Sequence, residues 1–301
     1  MGSCSNPVFE QQRQARIQGG SGICRRGLSK QCARDVAMTA PRIARYAANT
    51  TGRDFVVGDI HGAYTMLLVA MRRVGFEPKV DRLFCTGDLI DRGPESARVA
   101  KFLSLPYVHS VRGNHEDMLI QLSEGGYIPT FGSEHFLVRQ NGLGWWDAEP
   151  VELKLEILAA IRKLPLVIEI ETPRGIVGLL HAEVPLGLSW QQFVAKADEQ
   201  DSKVIESLLW GRERIQGGNT SGVPGVGRVF VGHTPQMNGV SRFGNVYAID
   251  TGAIFADLWD KEGASLTMMN LLHRSEVLLA PQDGVLNLLD EPVAQPFGSY
   301  T

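Results

Sequence analysis

The sequence lacks long apolar runs and has few cysteines. No stretch approaches the ~20 residues of a membrane span, so no transmembrane helix is predicted. The first residues also lack the apolar core of a secretory signal, which is about 7–15 residues long. The four cysteines, at 4, 24, 32 and 85, form no Cys-x-x-Cys pair and have no zinc-site spacing. We therefore expect a reducing compartment and predict a cytoplasmic location.

Positive and negative charges nearly balance over the whole chain but are unevenly distributed along it. The net charge of −3 over 301 residues predicts neither a nucleic acid nor a membrane as partner. Residues 1–53 nevertheless hold nine Lys/Arg and two Asp/Glu, a net of +7, which leaves −10 for the rest. Residues 1–50 are interpreted as a basic, disordered N-terminal extension. Two alternatives are a transit peptide and a myristoylated start, although Asn6 stands where that motif requires Ser or Thr.

Residues 54–112 show a regular alternation of apolar runs and helical periodicities. Strands are predicted at Asp54–Val57, Arg82–Thr86 and Tyr107–Arg112, with helices at Tyr64–Val74 and Glu95–Leu103. This order is typical of parallel strands joined by helical crossovers.

The remainder departs from that alternation. Residues 117–150 are rich in glycine and are predicted to form an irregular cap, followed by a helix over 151–163. Strands are predicted at 166–170, 175–180, 228–231, 246–249 and 266–271, with one helical interruption over 189–209. No linker separates the motifs described below, so we predict one catalytic domain over 51–280 and a flexible tail over 281–301.

Five short segments carry nearly all the residue types that bind hard divalent metals. They read Gly-Asp-Ile-His-Gly at 58–62, Gly-Asp-Leu-Ile-Asp-Arg-Gly at 87–93, Gly-Asn-His-Glu at 113–116, Leu-His-Ala-Glu at 180–183 and Gly-His-Thr-Pro at 232–235. Each follows or overlaps a predicted strand. Because open sheets bind ligands beyond the carboxyl ends of their strands, six side chains are expected to share one crevice: Asp59, His61, Asp88, Asn114, His181 and His233.

The number of these groups favours two metal ions over one. A catalytic zinc takes three protein ligands, whereas six oxygen and nitrogen ligands suit two ions that share a carboxylate. Asp88 is the predicted bridge because its strand lies between those of Asp59 and Asn114 in sequence. Such ligands favour manganese, iron or zinc over copper, and two manganese ions are the predicted cofactor.

Residues beside the ligands predict proton transfer and phosphate binding. His115 is expected to diverge from Asn114 and to face the substrate as a general acid. Asp91 is expected to orient the His115 ring, and capping of the next helix is its alternative role. The predicted phosphate-binding residues are Arg92, Arg112, Arg212 and Asn114.

The first three segments resemble the signature of the PPP-type metallophosphoesterases, in particular the bacterial and bacteriophage lambda-like serine/threonine protein phosphatases. In that branch Trp-x-Arg-Glu-Arg precedes Gly-His-Thr-Pro, and the core ends with Ile-Asp-Thr-Gly. Here these segments stand at 210–214, 232–235 and 249–252, and the resemblance covers about residues 53–272. It implies an α/β fold, the four-layer αββα sandwich of two mixed β-sheets flanked by helices found in calcineurin-like phosphoesterases.

The resemblance also implies roles for the site residues. It implies one ion held by Asp59, His61 and Asp88, and a second held by Asp88, Asn114, His181 and His233. A metal-bridging water then attacks phosphorus directly, with His115 and Asp91 as the acid pair. Arg212 is favoured over Arg214 as the phosphate ligand, and Arg214 is expected to form a structural ion pair.

The predicted function is hydrolysis of phosphoserine and phosphothreonine in a phosphoprotein or phosphopeptide, with phosphotyrosine left open. One alternative is symmetrical hydrolysis of dinucleoside polyphosphates such as diadenosine tetraphosphate. That branch typically has Ala-Arg-Gly and Gly-Asn-His-Asp where this chain has Asp91 and Glu116. An inactive scaffold is the second alternative, which the complete ligand set disfavours. The oligomeric state is left open.

Three histidines and two tryptophans outside the motifs receive structural interpretations. His109, His135 and His273 match no motif, and lone histidines are usually structural or solvated. Trp145 and its neighbour Trp146 are expected to anchor a loop, with substrate contact as the alternative.

Overall fold

The computed structural model describes residues 41–255 and 263–272 and the backbone of 277–280. Residues 1–40 of the predicted extension, the predicted tail and His273 lie outside the described residues. Within the described part of the chain, no helix is long and apolar enough to cross a bilayer.

One sheet contains six of the described strands. They are β1 Ile43–Tyr46, β5 Val167–Ile170, β6 Val177–Leu180, β7 Arg228–Val231, β8 Ser241–Phe243 and β9 Val246–Ala248. Their spatial order is β1-β5-β6-β7-β9-β8. β1 with β5, β6 with β7 and β7 with β9 are parallel. β5 with β6 and β8 with β9 are antiparallel, so the sheet is mixed.

The second sheet contains the predicted strand–helix–strand–helix–strand unit. Its strands are β2 Asp54–Val57, β3 Arg82–Cys85, β4 Val108–Ser110, β10 Leu266–Asn270 and β11 Val277–Ala280. Their order is β11-β10-β2-β3-β4. β2, β3 and β4 are parallel, as predicted, while β10 runs antiparallel to both of its neighbours.

Helices flank the two sheets. They are α1 Tyr64–Arg73, α2 Val99–Leu103, α3 Asn114–Leu122, α4 Phe136–Asn141, α5 Gly144–Ala148, α6 Val151–Ile161, α7 Trp190–Asp198, α8 Ser202–Trp210 and α9 Glu213–Gln216. A short 3₁₀ turn, Ser96–Arg98, leads into α2.

Strand alternation sorts the core into the layers of a sandwich. On β2, Phe55 and Val57 pack on the helical side, whereas Val56 faces the other sheet. On β7, Val229 packs under the helices of its own sheet, whereas Phe230 enters the space between the sheets. Each sheet therefore buries both faces, which requires helices outside both. This confirms the predicted four-layer αββα sandwich.

The domain boundary predicted at residue 51 lies too late in the sequence. Strand β1 begins at Ile43 and pairs in parallel with β5, and Arg45 forms an ion pair with Glu169 at 2.8 Å. The strand was missed because it lies at a sheet edge, where only Ile43 is buried and the short polar-interrupted pattern is weak.

The helical interruption predicted over 189–209 is present and consists of two helices. Gln200 has φ 63°, a left-handed conformation that ends α7. Asp201 then caps α8, accepting hydrogen bonds from the backbone N–H of Lys203 at 3.0 Å and Val204 at 3.2 Å. The acidic cap in the middle of the predicted helical interruption was the signal for this break.

Candidate active site

The five predicted segments meet at one edge of the sandwich. Three follow the parallel strands β2, β3 and β4, and two follow the parallel strands β6 and β7. Several residues just after these strands have left-handed backbones, among them His61 at φ 45°, Asp88 at φ 47° and His233 at φ 67°. Such conformations are unfavourable for residues other than glycine and persist where the surroundings impose them, often at functional sites.

Two glycines allow the segments to approach closely. A Cβ atom at Gly232 would collide with Oδ1 of Asp59, and one at Gly113 would collide with Oδ1 of Asp88. Glycine therefore brings the backbone of one strand end against the carboxylate of another.

One ligand group gathers around Asn114. Its Oδ1 lies 2.8 Å from His181 Nε2 and 2.9 Å from His233 Nδ1, and the two ring nitrogens lie 3.2 Å apart. Asp88 Oδ1 lies 3.5 Å from His181 Nε2. Ligands held about 2.0–2.2 Å from one ion are separated from each other by roughly 3 Å. These four residues therefore fit a single divalent cation.

Asp88 also serves a second group. Its other oxygen, Oδ2, lies 3.5 Å from His61 Nε2, so each oxygen faces a different histidine. Asp59 is fixed nearby, because its carboxylate accepts hydrogen bonds from Thr86 Oγ1 at 3.0 Å and from the His233 backbone N–H at 2.8 Å. This arrangement fits a carboxylate that bridges two ions, as predicted for Asp88.

The ring hydrogen bonds direct histidine lone pairs into the site. His61 Nδ1 lies 2.8 Å from the Ile90 carbonyl, and His181 Nδ1 lies 2.8 Å from the Thr86 carbonyl. A carbonyl accepts only from N–H, so Nε2 of each ring carries the lone pair. Burial lowers the pKa of both rings, and lowers that of His233 well below its usual value, which favours the neutral form that binds metals.

Buried acidic groups concentrate negative charge here. Burial, with Asp250 and Asp88 nearby, raises the pKa of Asp59 well above its usual value. Burial likewise raises the pKa of Asp250 to about 6. Carboxyl groups that crowd and desolvate one another in this way provide a charge that divalent cations neutralise. The residues present therefore fit a two-metal centre.

Glu116 braces the Asp88 loop, a role that the sequence analysis missed. Its carboxylate accepts four backbone N–H groups, from Asp88 at 3.0 Å, Leu89 at 2.8 Å, Ile90 at 3.3 Å and Gly113 at 2.8 Å. Burial, with the nearby Asp88, raises the pKa of Glu116 to about 7. Its position three residues after Gly113 matches a capping-box glutamate and was the available signal.

The two residues predicted to form the acid pair are in contact. His115 Nδ1 lies 2.7 Å from Asp91 Oδ2, and both residues are almost wholly buried. His115 and Asn114 occupy the first turn of α3, where neighbouring side chains point about 100° apart. This explains why Asn114 lies among the metal ligands while His115 turns toward Asp91. His115 Nε2 remains near the centre, 3.9 Å from Asp88 Oδ2.

The predicted arginines divide into two groups. Arg92 places Nη1 2.8 Å from His61 Nε2 and Nη2 3.1 Å from His115 Nε2. Arg212 reaches Thr234 Oγ1 at 3.3 Å, and the charges of Asp250 and Asp59 act on it. These two guanidinium groups border the metal ligands.

Arg112 is directed elsewhere, contrary to the prediction. Its guanidinium donates to Asp117 at 3.3 Å and to the backbone carbonyls of Arg162 at 3.3 Å and Leu164 at 3.4 Å. The acceptors after the end of α6 come from a distant part of the sequence, so spacing alone could not predict this orientation. Arg112 therefore ties α3 to the α6–β5 connection.

Among the described residues, Arg214 makes structural hydrogen bonds rather than the ion pair expected of it. It is buried, its backbone N–H donates to the Glu183 carboxylate at 2.5 Å, and its Nη1 donates to the Gly222 carbonyl at 3.2 Å. The preference for Arg212 as the arginine beside the metal ligands agrees with this geometry.

The lone histidines and the tryptophans make structural contacts. His109 packs against the rings of Tyr46 at 4.5 Å and Phe84 at 5.1 Å, and the His135 ring caps α4. Trp146 is buried and donates from Nε1 to the Pro129 carbonyl at 2.8 Å, which anchors the cap. Trp145 instead donates to Asp91 Oδ1 at 2.7 Å, a contact that the sequence analysis did not foresee.

Comparison with known proteins identifies the class. The sequence profile of the calcineurin-like phosphoesterases matches residues 55–237. Serine/threonine-protein phosphatase 1 of Salmonella typhimurium is 33% identical over 204 residues, 67% of this chain and 87% of its own length. Serine/threonine-protein phosphatase 2 of Escherichia coli is 30% identical over 223 residues, 72% of this chain and 94% of its own length.

Proteins named for another activity also match. The symmetrical bis(5'-nucleosyl)-tetraphosphatase of Methylococcus capsulatus is 29% identical over 163 residues, 52% of either chain. The structure of a protein proposed to be a diadenosine tetraphosphatase is 22% identical, with a TM-score of 0.56. It covers 80% of this chain and 98% of its own, and shows a shared fold.

The chain belongs to the calcineurin-like phosphoesterases, and its similarity to the phosphatases supports the PPP-type bacterial branch. It is a hydrolase acting on phosphoric ester bonds.

Proposed function

We propose that the chain is a manganese-dependent phosphoprotein phosphatase that hydrolyses phosphoserine and phosphothreonine monoesters. The observation that carries this proposal is the 2.7 Å contact between Asp91 Oδ2 and His115 Nδ1. A monoester with an alkyl leaving group requires a proton donor, because serine and threonine alkoxides are poor leaving groups. The Asp91–His115 pair provides one beside the metal ligands.

Each ion has a defined set of protein ligands in this proposal. Asp59, His61 and Asp88 would hold one ion, and Asp88, Asn114, His181 and His233 the other. When bound, the ions supply an acidified water and neutralise phosphate charge. The side chains are compatible with manganese, iron and zinc, and manganese is the one we propose.

The remaining residues orient the phosphate and move a proton. Arg92 and Arg212 offer planar N–H donors to the phosphate oxygens. With Nδ1–H of His115 committed to Asp91, Nε2 is the atom that donates a proton to the leaving oxygen. Asp91 keeps the ring in that orientation.

Hydrolysis of dinucleoside polyphosphates is the second candidate function. It is favoured by the matches to symmetrical tetraphosphatases and by the fold shared with a protein proposed to have that activity. Dinucleoside polyphosphates have phosphate leaving groups, which need less protonation than an alkoxide. The presence of Asp91 in contact with His115 therefore favours the phosphoprotein substrate.

Competing substrates test the proposal. Purified protein is offered a phosphoserine peptide and diadenosine tetraphosphate, each with manganese and with a chelator. We expect metal-dependent hydrolysis with a higher kcat/KM for the peptide. A higher kcat/KM for the dinucleotide would reject the proposal in favour of the second candidate. No metal-stimulated turnover of either would favour an inactive scaffold.

A further inference from the structure

The cap lies directly on the turn that carries the predicted acid pair. The segment from Gly142 to Trp146 contacts Asp91 and Arg92, both of which have left-handed backbones, at φ 70° and 67°. The backbone N–H of Arg92 donates to the Gly142 carbonyl at 3.1 Å. A Cβ atom at Gly142 would collide with the backbone of Arg92, so glycine is needed for this contact. The cap thus helps to impose an unfavourable backbone conformation on a functional turn.

A second contact reaches the Asp91 side chain. Trp145 Nε1–H donates to Oδ1 at 2.7 Å, while Oδ2 of the same carboxylate accepts from His115 Nδ1 at 2.7 Å. Each oxygen therefore has its own donor, and together the two donors fix the plane of the carboxylate. Asp91 is wholly buried, so water is poorly placed to replace a lost donor. Short hydrogen bonds to an ionised carboxylate are among the stronger ones in proteins.

We propose that Trp145 is a positioning residue for the proton donor, acting through Asp91 to orient the His115 imidazole. The proposal rests on the proposed function, since it assigns His115 as the general acid. Trp145 itself touches neither the metal ligands nor the reacting atoms in this role. Its effect on rate should therefore depend on how much the leaving group needs a proton.

The neighbouring tryptophan supplies a matched control. Trp146 belongs to the same helix, its ring meets that of Trp145 edge-on at 5.6 Å, and its indole N–H donates to a backbone carbonyl at 2.8 Å. Trp146 is the more buried of the two. Its replacement should disturb cap packing at least as much, without removing a donor from Asp91.

Leaving-group dependence separates positioning from packing. Trp145→Phe and Trp146→Phe are compared with wild type on aryl phosphate monoesters that range from 4-nitrophenyl to phenyl phosphate. We expect Trp145→Phe to lower kcat on phenyl phosphate by roughly 10-fold, part of the 10²–10⁴-fold effect of a general acid. Its 4-nitrophenyl phosphate rate should change little, because that leaving group departs without a proton. Trp146→Phe should affect all esters alike.

Two further variants test whether the effect requires an N–H donor at position 145 and the carboxylate at position 91. Trp145→Gln retains an N–H donor and should recover part of the phenyl phosphate rate lost in Trp145→Phe. In a protein that already carries Asp91→Asn, adding Trp145→Phe should cause no further loss of the phenyl phosphate rate, because Trp145 acts through Asp91. Equal leaving-group slopes for wild type and Trp145→Phe, or additive losses in Asp91→Asn/Trp145→Phe, would overturn the proposal.

Failure of the proposed function is recognised separately. A wild type that hydrolyses no monoester with manganese would reject the phosphatase assignment. The Trp145–Asp91 link is then tested by urea unfolding of Trp145→Phe, Asp91→Asn and the double variant. The link predicts that the losses of stability in the two single variants are not additive, because both disturb the same hydrogen bond. Additive losses would overturn it.

Discussion

Nε2 of His181 and Nδ1 of His233 face each other at 3.2 Å, although the two histidines follow different strands of one sheet. Burial lowers the pKa of both rings, so two neutral imidazoles meet at these nitrogens. A divalent cation is the partner that satisfies both. This relationship makes the ligand assignment testable.

Replacement of the bridging carboxylate should remove both ions together. We expect Asp88→Asn to lower metal affinity by more than about 100-fold, the upper range seen when only an outer-shell partner of a metal ligand is changed. Activity should fall in parallel. The measurement is metal content by mass spectrometry with turnover of a phosphoserine peptide. Asp201→Asn, which changes a helix cap outside the site, should retain its metal. Retained metal in Asp88→Asn would contradict the bridge.

Replacement of the proton donor should leave the metals in place. His115→Asn is expected to slow hydrolysis of a phosphoserine peptide by about 10²–10⁴-fold, the usual range for a general acid. Metal content should be unchanged, because Asn114 rather than His115 is the proposed ligand of the second ion and contacts His181. An unchanged rate would reject the acid role, whereas lost metal would show that His115 is a ligand.

Variants of three arginines should differ in their affinity for inorganic phosphate, which is measured as competitive inhibition. Arg212→Gln should weaken it by about 10–100-fold, since a hydrogen bond to a charged group contributes about 1.5–3 kcal/mol. Arg112→Gln should leave it nearly unchanged, because that guanidinium is bound to Asp117 and backbone carbonyls. Arg214→Gln should chiefly lower the free energy of unfolding, since Arg214 is buried. A strong loss of phosphate affinity in Arg112→Gln would restore the sequence-based prediction.

His109 should make stability depend on pH. Burial, with Arg82 nearby, lowers the pKa of this ring to about 4 from its usual 6.5. Between these values the unfolded chain binds a proton that the folded chain does not, so stability falls as the pH falls from 6.5 toward 4. His109→Phe retains the aromatic contacts and cannot titrate.

Urea unfolding at pH 7 and pH 5 measures this effect. Wild type should lose about 1–2 kcal/mol more than His109→Phe over that interval, an amount reduced by the partial exposure of the ring. The comparison removes the contribution of other groups, which titrate in both proteins. Parallel losses in the two proteins would contradict the assignment.

Much of this site could be predicted because its chemistry lies in short segments at strand ends. Asp59, Asp88 and Asn114 each follow a parallel strand, and parallel strands end at the same edge. The side-chain direction of Arg112 could not be predicted in this way. It depends on carbonyls of Arg162 and Leu164, which are distant in sequence.

The missed features share a physical cause. Strand β1 is stabilised by its partner β5 rather than by a hydrophobic pattern of its own, so local sequence carries little signal for it. The Trp145–Asp91 hydrogen bond joins the cap to a loop 54 positions earlier in the chain. No periodicity or motif encodes that distance, because it arises from tertiary packing.

The two sheets contribute unequal shares of the metal ligands, and this has a consequence for biosynthesis. Asp59, His61, Asp88 and Asn114 follow strands of the sheet that contains β2, whereas His181 and His233 follow strands of the other sheet. A nascent chain that has not yet released residue 233 from the ribosome therefore holds one ion's ligands and only part of the other's. Turnover should begin only after translation has passed the Gly-His-Thr-Pro segment and strands β6 and β7 have taken their places in the sheet.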